Sequence, residues 1–97
     1  MSTIALAVPA QNLKGDEITL EDRFLSCKEV CGFLNLARAT LYRAMERCEF
    51  PPNYQISRGR IGWLESDINE YKQLGYLKFC NAYRAKIESM REEVKAA

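Results

Sequence analysis

Residues 23–64 read RFLSCKEVCGFLNLARATLYRAMERCEFPPNYQISRGRIGWL. Arg23-Phe24-Leu25 is a short apolar entry, either a strand stub or a hydrophobic staple. Ser26 with Glu29 three residues on is the capping-box signature of a helix start. Val30, Phe33 and Leu34 then recur at helical spacing and predict a core face, while Gly32 marks a place where another backbone can approach closely. Asn35-Leu36-Ala37 predicts a turn. Arg38 to Cys48 follows as a second helix with Leu41, Ala44, Met45 and Cys48 turned inward. Pro51 and Pro52 end it, because proline cannot continue a helix and the residue before a proline leaves the α region; Phe50 is expected to plug the core. Tyr54 to Ser57 and Arg60 to Trp63 alternate about Arg58-Gly59 as the two strands of a hairpin do, and Trp63 is assigned to the core, pinning the hairpin to the helices.

Outward from this stretch, Leu64-Glu65-Ser66-Asp67 predicts the start of a third helix with acidic groups in its first turn, where the helix dipole favours them. Ile68, Tyr71 and Leu74 form its buried face and Gly75 stops it. Tyr76, Cys80, Tyr83, Ile87, Met90 and Val94 are spaced as a heptad-like stripe on a last helix. The stripe fits an oligomer or partner face, or a helix lying back on its own domain, since so few heptads make a poor coiled coil. Residues 1–22 mix Pro, Gly, Gln, Asn and acidic groups without periodicity and are expected to be a flexible arm. The ordered elements predict a mainly α chain with a small β-hairpin wing, a winged helix-turn-helix over residues 23–74, followed by a C-terminal helix over 75–97.

Ninety-seven residues bury too little surface for a roomy catalytic cleft. The chain has no histidine, no nucleophile beside a base and no phosphate-cradling glycine loop, so an enzyme is not expected. No apolar run is long enough for a membrane span, and a water-soluble, cytoplasmic protein is expected. Cys27, Cys31, Cys48 and Cys80 lack the paired spacing of a zinc site; they read as reduced, small core hydrophobes, and neither metal nor cofactor is expected.

The net charge of +1 hides its distribution. Residues 1–22 sum to −3, residues 23–64 carry seven basic against three acidic side chains, and residues 65–97 balance to zero. The basic excess thus lies on the segment whose shape suits a duplex, making double-stranded DNA the expected partner. Arg38, Ala39, Thr40, Tyr42, Arg43 and Arg47 are left to solvent on the second helix, with Arg38 and Arg43 suited to base edges or phosphate and Tyr42 to phosphate through its hydroxyl. Arg58, Gly59 and Arg60 form a hairpin tip fit for a narrow minor groove, unless Arg60 merely pairs with an acidic neighbour. Lys28 is a further candidate phosphate contact.

These residues resemble the AlpA-like family of phage and prophage regulators, close to excisionases and to the DNA-binding domain of MerR-type proteins. The carriers are RFLSCKEVCGFLNLARATLYRAM, similar to the family's strand, first helix and recognition helix, and EFPPNYQISRGRIGWLESDINEY, similar to its wing and third helix. Ala37 and Ala39 stand where the family often has serine, and the helix after Gly75 lies outside the shared pattern. The resemblance implies a sequence-specific DNA-binding protein that regulates transcription or directs excision, assembling as a homo-oligomer on DNA and recruiting an integrase or recombinase. Alternatives are a small terminase-like DNA-binding subunit and a protein-interaction module docking a recombinase through the last helix.

Overall fold

The computed structural model describes residues 6–96, with side chains as far as Glu92. In chain order its elements are β1 (Leu6–Ala7), β2 (Phe24–Leu25), α1 (Cys27–Leu34), α2 (Arg38–Glu46), β3 (Tyr54–Ser57), β4 (Arg60–Leu64), α3 (Glu65–Leu74) and α4 (Tyr76–Ala96). Local sequence explains most of the boundaries. The Ser26 hydroxyl accepts from the Glu29 amide at 3.1 Å, and the Glu29 carboxylate accepts from the Ser26 amide at 2.9 Å, completing the capping box. The Ser26 amide and hydroxyl also hold the Glu29 carboxyl below its ordinary range. Asn35 ends α1 in the left-handed region (φ 56°), which asparagine tolerates better than most residues. Gly59 turns the β3–β4 hairpin at φ 78° and Gly75 stops α3 at φ 83°.

Four helices therefore pack with a small sheet, an arrangement compatible with a winged helix. The sheet has four strands, not the two of the expected hairpin, in the order β1-β3-β4-β2. Phe24-Leu25 pairs antiparallel with Leu64 and Trp63, so the apolar entry is a strand stub. Gly62 makes that pairing close: a methyl group there would come within 3.1 Å of the Leu25 carbonyl oxygen and 3.3 Å of Phe24 Cβ. β1 adds in parallel to β3, Leu6 facing Tyr54 and Ala7 facing Gln55. The main core gathers Leu25, Val30, Leu41, Met45, Phe50, Trp63 and Ile68. Trp63 is fully buried and its indole N–H donates to the Pro51 carbonyl at 3.1 Å, satisfying the one polar atom that burial would otherwise leave unpaired.

Three expectations are corrected, and one left open is decided. Phe33 is 48% exposed: Cys27, Cys31 and Leu34 pack on the main core with Val30, leaving Phe33 on the flank under the Lys72 ammonium, 4.2 Å from its ring centroid. α2 ends at Glu46, because Cys48 adopts the left-handed conformation (φ 59°); its amide bonds to Met45 O and the Glu49 amide to Ala44 O, as in a Schellman closure. The N-terminal segment, expected to be a loose arm, is anchored to the domain at several points within residues 6–22. Leu6, Asn12 and Leu13 are buried, the Leu13 amide donates to Asp67 at 2.9 Å, and Asp22 accepts from the Ser66 amide at 3.0 Å and from its hydroxyl. Residues 1–5 lie outside the described residues.

The stripe on α4, finally, is largely spent on the chain's own core. Ile87 is buried with Leu13, Cys48 and Phe79, and Tyr83 and Met90 pack against that cluster; Cys80 is half-buried and Tyr76 exposed. Val94's side chain lies outside the described residues. Phe79, not a member of the stripe, takes the central position between Tyr71 and Tyr83, with ring centroids 5.1 and 5.2 Å away. A heptad-like spacing has the same appearance whether the covering surface is a second helix or the rest of the domain.

Candidate nucleic-acid interface

Leu41 and Met45 face the core of α2. At about 100° per residue this turns Ala39, Arg43 and Glu46 to the opposite side, with Arg38 and Tyr42 on one flank and Thr40 and Arg47 on the other. Arg38, Ala39, Thr40, Arg43, Glu46 and Arg47 are all exposed. At the N-terminus of the helix, Ala37 occupies the cap position with no side-chain hydrogen bond, so first-turn amides remain open to an outside acceptor. The hairpin presents Arg58, Gly59 and Arg60 to solvent. Its end is tied by Gln55, whose side-chain amide donates to the carbonyls of Ser57 and Arg60.

A stacked relay joins the two elements. The Arg38 guanidinium lies 5.6 Å from the centroid of the Tyr42 ring, and that ring meets Trp63 edge-on at 6.3 Å. Trp63 belongs to β4, so Arg60 lies about 10 Å further along the same strand at the usual rise per residue. Tyr42 accordingly differs from the expected free phosphate contact: it is half-buried, and burial first, then the neighbouring Cys27 thiol, pushes its hydroxyl pKa up. Its ring lies between the Arg38 guanidinium and Trp63 at the base of the hairpin. The sequence carried a signal for this contact in the aromatic at the flank of the second helix and the tryptophan at the base of the hairpin, but nothing in the spacing of either showed that they meet.

The electrostatics favour an outside anion. Among the described residues the ion pairs are Lys14–Asp16, Arg23–Glu65, Arg84–Glu49 and Arg84–Glu88; none involves Arg38, Arg43, Arg47, Arg58 or Arg60. Five exposed arginines thus stand on α2, its C-cap and the hairpin without a carboxylate partner among the described residues, the condition under which phosphate can take them. Lys28 is placed elsewhere, in a groove of about 490 Å³ between α1 and α3 that it lines with Arg23, Leu25, Gly32, Phe33 and Asn69.

Cys27 and Cys31 lie with sulfurs 4.0 Å apart, as free thiols, and burial raises the Cys31 pKa. Among the described residues no three Cys, Asp or Glu side chains gather as a metal site, and no helix is long and apolar enough to cross a membrane.

The profile of the family described as Prophage CP4-57 regulatory protein (AlpA) matches residues 23–74, more than half of the 97 residues. The chain belongs to that family. The matched stretch contains β2 to α3, and so includes both α2 and the hairpin; β1 and α4 lie outside it. A relative of this AlpA-family protein is the uncharacterized protein ORF88 of Enterobacteria phage P4, 31% identical over 51 residues, covering 53% of this chain and 58% of the phage protein. The chain therefore spans a little over half the length of that relative. No solved structure gives a significant match.

Proposed function

We propose that this AlpA-family protein is a non-catalytic, sequence-specific DNA-binding protein with a winged helix-turn-helix. In this reading α2 enters the major groove, Arg43 and Arg38 reach base edges or phosphate, and Arg58 and Arg60 of the wing reach the adjoining minor groove. The observation that carries it is the set of five arginines, without a carboxylate partner among the described residues, on α2 with its C-cap and on the hairpin, two elements that meet through Tyr42 and Trp63. The family description as a prophage regulatory protein supports a role in a phage or mobile element, as transcriptional regulator or excisionase-type directionality factor. Binding of several copies to adjacent repeats and recruitment of a recombinase belong to the second of these roles. Docking of a recombinase through the apolar stripe of α4 is disfavoured, because Ile87 is buried within the chain's own core.

Fluorescence anisotropy with duplexes tiled across the DNA flanking its gene tests this reading. Arg43→Ala should weaken binding to the preferred duplex by about 1–3 kcal/mol if it reads a base, while Arg58→Ala should weaken all duplexes and reduce the salt slope by about 1. Equal affinity for preferred and scrambled duplexes in wild type and both variants would overturn it.

A further inference from the structure

Arg91 stands near the far end of α4, beyond the residues matched by the family. Its Nη1 donates to Met45 O at 2.9 Å and to Glu46 O at 3.1 Å, and lies 3.6 Å from Cys48 Sγ. These acceptors form the C-terminal end of α2. The last carbonyls of a helix have no partner within it, and here Arg43, Ala44 and Met45 are served by the amides of Arg47, Cys48 and Glu49. Glu46 O has only Arg91 among the described residues. The guanidinium also places positive charge at the negative end of the helix dipole.

The need for such a clasp is visible in the same turn. Cys48 closes α2 at φ 59°, a conformation that costs a residue with a side chain more than it costs glycine. α2 has nine residues, too few to hold itself helical without outside contacts. Its buried stripe fixes one side, and Arg91 fixes the end. Arg91 is only half exposed, with Nη1 turned into the helix end.

We propose that Arg91 is a positioning residue for DNA readout: α4 clasps the last turn of α2 and so sets the angle at which Arg43 and Arg47 are presented to the duplex. This rests on the DNA-binding reading above. The α4 helix is then part of the DNA-binding machinery, although it lies outside the family module and touches no DNA through Arg91.

The test uses the full-length protein as wild type, Arg91→Ala, Arg91→Lys and the exposed control Lys78→Ala. Amide hydrogen exchange at Arg47, Cys48 and Glu49 is followed without DNA, and affinity is measured for the preferred and a scrambled duplex. Loss of a hydrogen bond to a charged group predicts about tenfold faster exchange at those amides and about tenfold weaker specific binding in Arg91→Ala, with scrambled binding within about twofold. Arg91→Lys should recover most of both, and Lys78→Ala should match wild type. Should alanine unfold the chain, Arg91→Met, which keeps the apolar stem and removes the donors, takes its place in the same comparison. Unchanged exchange overturns the proposal, as does an equal fall for specific and scrambled duplexes, which would make Arg91 a phosphate charge. If wild type prefers no duplex, the DNA reading fails and the positioning role with it, while the exchange arm still shows whether the clasp holds α2.

Discussion

Asp67 is 1% exposed. Its carboxylate accepts from the Leu13 amide at 2.9 Å and from the Tyr54 hydroxyl at 3.5 Å. Burial outweighs these bonds and the nearby Lys86 charge, and with Asp22 adding repulsion the Asp67 pKa is pushed up to about 6. A carboxyl whose folded pKa exceeds its unfolded value binds its proton more tightly in the fold, so its ionisation removes stability as pH rises from about 4 to about 6. Asp67→Asn keeps an acceptor for Leu13 and removes the charge. It should stabilise the protein at pH 7.5 by up to about 3 kcal/mol in urea denaturation, with the advantage vanishing near pH 4. A variant less stable than wild type at pH 7.5 and equal to it near pH 4 would show that the charge itself is needed. The acidic first turn of α3 was legible in the sequence as a dipole partner; burial of Asp67 was not, because the residues that cover it, Leu13 and Tyr54, are far away along the chain. Trp63 was legible because a tryptophan at a hairpin base beside a proline-terminated helix has an apolar wall to meet.

At the level of elements, what local chemistry determines was readable: the Ser26–Glu29 box, the asparagine turn, the glycine hairpin and the Gly75 stop all stand where their residues are. The ends of α2 depend on the rest of the molecule. Its N-terminus has no capping side chain at Ala37, and Ala37→Ser should stabilise the fold by about 1 kcal/mol, read as a raised thermal midpoint; no change would mean that the serine hydroxyl does not reach the first-turn amides. Its C-terminus relies on Arg91, a contact that no spacing in the sequence encodes. The α4 stripe was legible as apolar, yet its covering partner was not, since Leu13 and Cys48 come from widely separated stretches of the chain.

Across the whole molecule, the family module of residues 23–74 is flanked by two accessories that meet each other. Leu13 and Ile87 share one buried cluster, and the Lys86 ammonium donates to the Leu13 carbonyl at 2.8 Å. Composition alone left residues 1–22 as an arm, because Leu6 and Leu13, with Pro9 between them, show no helical or strand period. Leu13→Ala should cost about 2–4 kcal/mol in denaturant unfolding, the range for a buried leucine, whereas a loose arm would give a change below about 0.5 kcal/mol.

The central claim is that α2 and the hairpin form one DNA-facing surface. Amide chemical shifts recorded while the preferred duplex is added to labelled protein report that surface directly. The account predicts that the largest changes fall on Arg38–Arg47 and Ser57–Arg60, with the groove around Lys28, Phe33 and Asn69 little affected. Changes concentrated in that groove, or on the exposed side of α4, with α2 and the hairpin tip unmoved, would contradict it.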